Sequence, residues 1–254
     1  MTQITRAVNE PILSFAAGSS ERASLQAKYD EMATQTIEIP LIIDGKEIKT
    51  GDMGNCVMPH NHQHVLATYH KAGETEVIQA IDVAMKSWKT WSTTTLEERT
   101  KIFRKAAELL QGPWRDTINA ATMLNQSKNA FQAEVDAACE LIDFFNFNAQ
   151  YAEEITANQP LISPEGMHNH LEYRPLEGFV FAITPFNFTS IAGNLPSAPA
   201  LMGNVALWKP ASSAVLPCYY IMKMLEEAGL PAGVINFIPG SGGNVGNPVL
   251  SNSN

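Results

Sequence analysis

Apolar positions along the chain change period, and those changes mark out its architecture. Val77, Ile81, Ala84, Met85 and Trp88 recur at three- and four-residue spacing, which predicts one buried helix face. A second stripe, Ile102, Phe103, Ala106, Leu109 and Leu110, follows a capping-box pattern at Thr94–Glu97 and is stopped by Gly112-Pro113. A third helix is predicted from about Trp114 to Leu124. A longer one runs from about Phe131 to Ile155, with Val135, Ala138, Ile142 and Phe145 on one side. Ahead of these, Ile39-Pro40-Leu41-Ile42-Ile43 reads as a short strand entering an Asp44-Gly45 turn, with Glu47-Ile48 returning. The polar stretch Asn55–His64 reads as loop, and the first forty residues show no clear period.

From Asn158 to Arg174 the pattern breaks. Pro160, Pro164 and Gly166 forbid a long helix, and Leu171-Glu172-Tyr173-Arg174 alternates like an edge strand, so a projecting β arm is expected. Beyond it the segments alternate in type. Phe179–Ile183 is a continuous apolar run, the mark of a strand buried on both faces. A helical stretch follows to about Met202, then a second buried strand at Val205–Trp208. Ser212-Ser213 is placed to cap a helix running to Gly229, with Pro217 tolerated in its first turn, and Val234–Ile238 is a third strand. This βαβαβ order demands parallel strands joined by helical crossovers, hence an α/β fold with a doubly wound, Rossmann-like parallel sheet. The expected organisation is an N-terminal part over residues 1–157, an arm over 158–174 and the first βαβαβ unit of the sheet over 175–254.

Composition narrows the partners. Of 254 residues, 45% are hydrophobic and 17% charged, enough apolar material for a sizeable core. A formal charge of -9 repels phosphate backbones, which argues against nucleic acid. Neither a basic amphipathic stretch nor an apolar run near ~18 residues is present, which argues against a membrane partner. Cys56, Cys139 and Cys218 are odd in number and widely spread, so no disulfide framework follows and a reducing cytoplasm is expected. The acids Glu10, Glu21, Asp30 and Glu31 near the start argue against a secretory or mitochondrial leader. Cys56 with His60, His62 and His64 could be read as a metal site, but alternating histidines in a polar stretch are more often solvated, and no metal site is assigned.

In open parallel sheets ligands bind beyond the carboxyl ends of the strands. Thr184-Pro185-Phe186-Asn187-Phe188 follows the first strand, Lys209-Pro210-Ala211-Ser212 the second, and Pro239-Gly240-Ser241-Gly242-Gly243-Asn244-Val245-Gly246 the third. Each has a chemical use at such a rim. Asn187 can offer its NH₂ to an oxygen that becomes negative during reaction. The Lys209 ammonium can hold ribose hydroxyls or a phosphate. The glycine-rich loop lets backbone N–H groups approach a pyrophosphate. Each also has a plainer reading: a turn-forming Asn, a solvated lysine, a simple turn.

Pro185-Phe186-Asn187-Phe188 resembles the Pro-Trp-Asn-Phe-Pro motif of aldehyde dehydrogenases. The variant with Phe186 and Thr189 is similar to the delta-1-pyrroline-5-carboxylate dehydrogenase branch of that family. So are Ala198-Pro199-Ala200-Leu201-Met202-Gly203-Asn204, Leu207-Trp208-Lys209-Pro210, Gln132-Ala133-Glu134-Val135-Asp136 and Tyr173-Arg174-Pro175-Leu176-Glu177-Gly178. The likeness runs from about Ile39 to Gly246. It implies an NAD-dependent enzyme that oxidises a small aldehyde, L-glutamate γ-semialdehyde, to L-glutamate in proline degradation. It implies that Asn187 polarises the aldehyde carbonyl. Ile183, Thr184, Pro185 and Phe186 would line the cofactor groove. Lys209, helped by Ser212, would hold the adenosine ribose. Gly242 and Gly246 would flank the pyrophosphate turn. Phe188 would wall the aldehyde tunnel, and Glu134 would reach the substrate's amino end, an ammonium needing an anionic partner, with a surface or structural carboxylate on a helix as the alternative for Glu134. Many relatives hold Glu where Ser212 stands, so NAD over NADP rests on the branch. The arm implies a homodimer or higher homo-oligomer.

The family's general base lies in a Glu-x-Gly-Gly stretch and its thiol nucleophile in a Gly-Gln-x-Cys stretch, and neither occurs in these residues. The expectation is an N-terminal portion, incomplete in its sheet and inactive alone, with only about one helical turn after Gly246. Two alternatives stay open: another semialdehyde dehydrogenase, and a non-catalytic dinucleotide-binding module.

Overall fold

The structure is a computed structural model that describes residues 4–253. Its first element is a helix the sequence pattern hid, α1 (Ser20–Ala33), capped by Ser19, whose hydroxyl accepts the Arg22 N–H at 3.3 Å. Only Leu25 and Met32 of α1 are buried, too few positions to leave a visible stripe.

The apolar run around Pro40 is two strands, not one. β1 (Ile37–Ile39) joins a three-stranded sheet and β2 (Leu41–Ile43) joins a five-stranded one. Proline lacks the N–H that a continuous ladder needs, and the chain changes sheets there. β2 turns through Asp44 and Gly45, both at positive φ (58° and 68°), into antiparallel β3 (Lys46–Ile48). That is the primed hairpin turn the Asp-Gly pair announces.

The expected loop at Asn55–His64 is instead the far end of a hairpin. β4 (Met53–Met58) pairs antiparallel with β5 (Asn61–His70). Cys56, Met58, Leu66 and Ala67 face the core while the tip residues Asn61, His62 and Gln63 are exposed, so polarity at the tip masked the strands.

The five-stranded sheet has the order β3-β2-β8-β7-β6, with β6 (Val180–Ile183), β7 (Ala206–Lys209) and β8 (Ile235–Phe237) parallel in register Ile183↔Lys209 and Trp208↔Phe237. β2 joins β8 antiparallel, so the parallel sheet carries a mixed extension on that side. β6, β7 and β8 step the same way across the sheet. Right-handed crossovers therefore put α7 (Thr189–Leu201) and α8 (Val215–Glu227) on one face. α2 (Glu74–Trp91) packs on β2, β7 and β8, and α9 (Gly242–Leu250) packs on α2. β6 is the outermost strand among the described residues, and Ile183 is 59% exposed, which corrects the reading of Phe179–Ile183 as buried on both faces.

The remaining helices cover the α7–α8 side: α3 (Leu96–Gln111), α4 (Arg115–Gln126), and α5 (Ala130–Ala133), which passes through a π-helical turn (Glu134–Cys139) into α6 (Glu140–Ala157). The capping box of α3 is Thr95 with Glu98, one residue later than read. α8 begins after Ala214 with no side-chain cap, because the Ser212 hydroxyl is used elsewhere. α9 starts at Gly242, ahead of Gly246, and continues for about one turn beyond it, as expected. Ser241 caps it, and Val245 and Val249 are buried.

Residues 158–178 form an arm without a β ladder. Gln159 holds it folded back, its Nε2 donating to the Leu171 carbonyl at 3.2 Å and its Oε1 accepting the Leu171 N–H at 2.8 Å. A side-chain amide supplies the pairing that an edge strand would have made. Among the described residues no helix is long and apolar enough to cross a membrane.

Candidate functional site

The carboxyl ends of β6, β7 and β8 lie side by side, and their loops are tied to one another. The Thr184 N–H donates to the Lys209 carbonyl at 3.1 Å, and the Ile238 N–H to the Trp208 carbonyl at 2.9 Å. The Ser212 hydroxyl donates to the Gly240 carbonyl at 3.3 Å. Beneath them Trp208 is fully buried, edge-on to Phe237 at 5.3 Å, with its Nε1–H donating to Thr184 Oγ1 at 3.1 Å. Thr184 is thus spent inside the wall, while Ile183 and Phe186 (65% exposed) present apolar surface outside it and Pro185 is half-buried.

Lys209 is only 7% exposed, and its Nζ donates to the Pro210 carbonyl at 3.2 Å. An ammonium carries three N–H donors, so the one acceptor leaves capacity for an oxygen-rich ligand. Burial alone pushes its pKa below the ordinary lysine value.

The third loop runs into the N-terminus of α9. Ser241 Oγ accepts the Asn244 N–H at 3.1 Å, and the first N–H groups of a helix have no intrahelical partner. A Cβ placed on Gly242 or Gly246 would meet nothing within 4 Å, so packing inside this chain does not require either glycine. Gly240 is different: a Cβ there would lie 2.6 Å from Val245 Cγ2 and 3.1 Å from the Ala72 carbonyl. The sequence reading missed Gly240, which the close approach of α9 demands.

Asn187 is exposed between β6 and α7, and half-buried Phe188 precedes the first residue of α7. The start of α7 is fastened from two sides. Thr189 Oγ1 is hydrogen-bonded to Thr122 Oγ1 (2.8 Å) and to Gln126 Nε2 (2.9 Å), and Ser190 Oγ donates to Glu140 Oε2 (2.7 Å). These partners lie far off in sequence, so no local signal marks them.

Glu134, expected at a substrate's amino end, is fully enclosed. Its carboxylate pairs with the Arg115 guanidinium and accepts from Asn119 Nδ2 at 2.8 Å and the Leu13 N–H at 2.9 Å. It therefore answers an internal cation, the structural role weighed beside the substrate one. Burial disfavours the Arg115 charge, but Glu134 and Glu10 outweigh it and leave the guanidinium's pKa raised.

The three cysteines are free and buried. Burial raises the pKa of Cys56 and of Cys139 to about 12, Glu134 adding to the effect at Cys139, and burial raises Cys218 as well. A protonated, enclosed thiol is a poor nucleophile. The histidines of the β4–β5 hairpin go separate ways: His60 bonds Ser127 Oγ at 2.7 Å and His64 the Ala33 carbonyl at 2.8 Å. Among the described residues no group of three or more His, Cys, Asp or Glu is placed to hold a metal.

The sequence profile of the aldehyde dehydrogenase family matches residues 48–254. The delta-1-pyrroline-5-carboxylate dehydrogenase of Agaricus bisporus is 51% identical over 91% of this chain and 43% of its own length. The mitochondrial delta-1-pyrroline-5-carboxylate dehydrogenase of Dictyostelium discoideum is 49% identical over 97% of this chain and 44% of its own. The crystal structure of the Mycobacterium tuberculosis delta-pyrroline-5-carboxylate dehydrogenase bound with NAD superposes with a TM-score of 0.96 at 46% identity, covering 99% of this chain and 47% of that one. The chain thus spans somewhat under half the length of these relatives.

Proposed function

The chain belongs to the aldehyde dehydrogenase family, and on that premise we propose that it is the cofactor-holding part of an NAD-dependent enzyme that oxidises L-glutamate γ-semialdehyde, the open form of delta-1-pyrroline-5-carboxylate, to L-glutamate. The observation that carries the reading is the rim itself. Thr184 is bonded to Lys209 and Ser212 to Gly240, so the amide, cation and glycine loops form one edge. The residues fit a dinucleotide. Lys209 has N–H donors to spare for ribose hydroxyls. The amides of Gly242 and Gly243 begin a helix with open space beside Gly242, which suits a pyrophosphate. Ile183 and Phe186 offer apolar surface along the groove.

When bound there, NAD supplies the hydride acceptor. Asn187 then directs its NH₂ at the aldehyde oxygen and stabilises the negative charge that grows on it. Phe188 supplies an apolar wall beside it. Cys56, Cys139 and Cys218 are all buried with raised pKa values, so we place the thiol nucleophile outside these residues, and the water-activating carboxylate too, since no Glu-x-Gly-Gly stretch occurs among them. The exposed arm with Leu161 and Ile162 on its surface supports a homo-oligomer, and the three free thiols support a reducing compartment, proposed as the cytoplasm.

Two measurements test the reading. NAD added to the 254-residue chain quenches tryptophan fluorescence with saturation, and the full-length protein containing this chain forms NADH only when glutamate semialdehyde is present. Saturable NAD binding with no turnover in the full-length protein favours the second reading, a dinucleotide-binding module, for which the enclosed thiols speak.

A further inference from the structure

Between α4 and α5 the chain passes through Ser127, held in the left-handed region at φ 53°, and this turn delivers Lys128 to the start of α7. The Lys128 ammonium lies 4.3 Å from the centroid of the Phe188 ring. The same ammonium pairs with Asp136, and the two side chains are only 13% and 22% exposed. Asp136 sits in the π-helical turn Glu134–Cys139. Phe188 is the residue between Asn187 and Thr189, and Thr189 is already fixed by Thr122 and Gln126. The segment carrying Asn187 is therefore gripped on its α7 side by hydrogen bonds and on its ring by a cation.

We propose that Lys128 is a positioning residue for aldehyde oxidation: with Asp136 holding its ammonium in place, it fixes the Phe188 ring and through it the direction of the Asn187 carboxamide. This rests on the role proposed for Asn187. A cation over an aromatic face is attracted by the ring's quadrupole, more strongly where water is excluded, as it is here. Aspartate is needed because a lysine stem has many rotamers, and a single counter-charge selects one of them. A lysine serving only to neutralise Asp136 would not need the ring.

The test has two arms. In the full-length enzyme, Lys128→Met lowers kcat for glutamate semialdehyde by about tenfold, leaves the NAD Kd within about twofold, and Lys128→Arg, which keeps a cation over the ring, recovers activity to within about threefold. Unchanged kcat, an arginine variant no better than methionine, or NAD affinity falling in step with kcat would overturn the proposal. The second arm is independent of turnover. In the NMR spectrum of the 254-residue chain the Lys128 ε-methylene protons lie upfield of an ordinary lysine and return on Phe188→Leu. Absence of that ring shift overturns the proposal even if the enzyme is active. A full-length protein that shows the shift but oxidises no semialdehyde overturns the role proposed for Asn187 instead, and Lys128's role with it.

Discussion

Arg115 and Glu134 form an ion pair sealed inside the protein, the guanidinium side chain 8% exposed and the carboxylate 0%. Arg115 also reaches Glu10 at 2.6 Å and the Pro11 carbonyl at 3.0 Å, while Glu134 accepts the Leu13 N–H. One pair of charges therefore ties the N-terminal segment to α4 and to the π-helical turn. Glu10 would still face Arg115 without Glu134, but removing Arg115 strands the Glu134 carboxylate in a dry site without its cation. Arg115→Leu is expected to cost about 3–5 kcal/mol of folding stability, read from the denaturant midpoint of the 254-residue chain. A loss below about 1 kcal/mol would mean that water reaches Glu134.

Asn187 is exposed and bears no fold-holding contact of its own in the arrangement described, so its replacement separates chemistry from stability. Asn187→Ala in the full-length enzyme is expected to lower kcat by about 10²–10³-fold, the usual effect of removing one oxyanion donor. Its thermal midpoint and NAD affinity should stay at wild-type values. A kcat within a few-fold of wild type would remove Asn187 from the reaction.

Lys209→Met tests the cofactor edge. Hydrogen bonds to a charged group contribute about 1.5–3 kcal/mol, so the NAD Kd should rise about ten- to a hundredfold. Titration followed by the fluorescence of the four tryptophans checks it. Folding stability should not fall, because the buried ammonium has only the Pro210 carbonyl for company.

The thiols give a pH prediction. The folded chain holds Cys56 and Cys139 at about 12, against 9.0 for an unperturbed thiol. Below 9.0 both folded and unfolded chains keep the protons, and the full contribution to stability is present. As pH rises from 9.0 toward about 12 the unfolded chain releases protons that the folded chain retains, so stability falls across that window. Accordingly, iodoacetamide should label none of the three cysteines of the native chain at about pH 8.5, and all three after unfolding. Rapid labelling of the native chain would contradict the burial.

The sequence carried the parts of the fold whose signal is local. The stripes of α2 and α3, the Asp44-Gly45 turn and the three apolar strands were all legible because period and turn chemistry act over a few residues. So was the rim, since parallel strands put their following loops on one edge. What escaped depends on distant partners. The hairpin tip at Asn61–Gln63 is polar because it is exposed, though the same strands are buried lower down. The cation that Glu134 answers was not legible, because Arg115 meets it only after α4 folds back on the π-helical turn. Nothing local marks Lys128, because the Phe188 ring beneath it lies far off in sequence.

The π-helical turn at Glu134–Cys139 leaves one surplus residue in the long helix. In an α-helix each residue advances the chain by about 100° around the axis, so the two halves point along different azimuths. The turn itself aims Asp136 at Lys128 while the helix after it turns Glu140 toward Ser190, a division of labour that an uninterrupted α-helix would put out of phase. Deleting a single residue within that turn should restore regular winding and swing every side chain from Glu140 to Ala157 away from its present neighbours, so the segment tolerates exchange of residues far better than a change in their number.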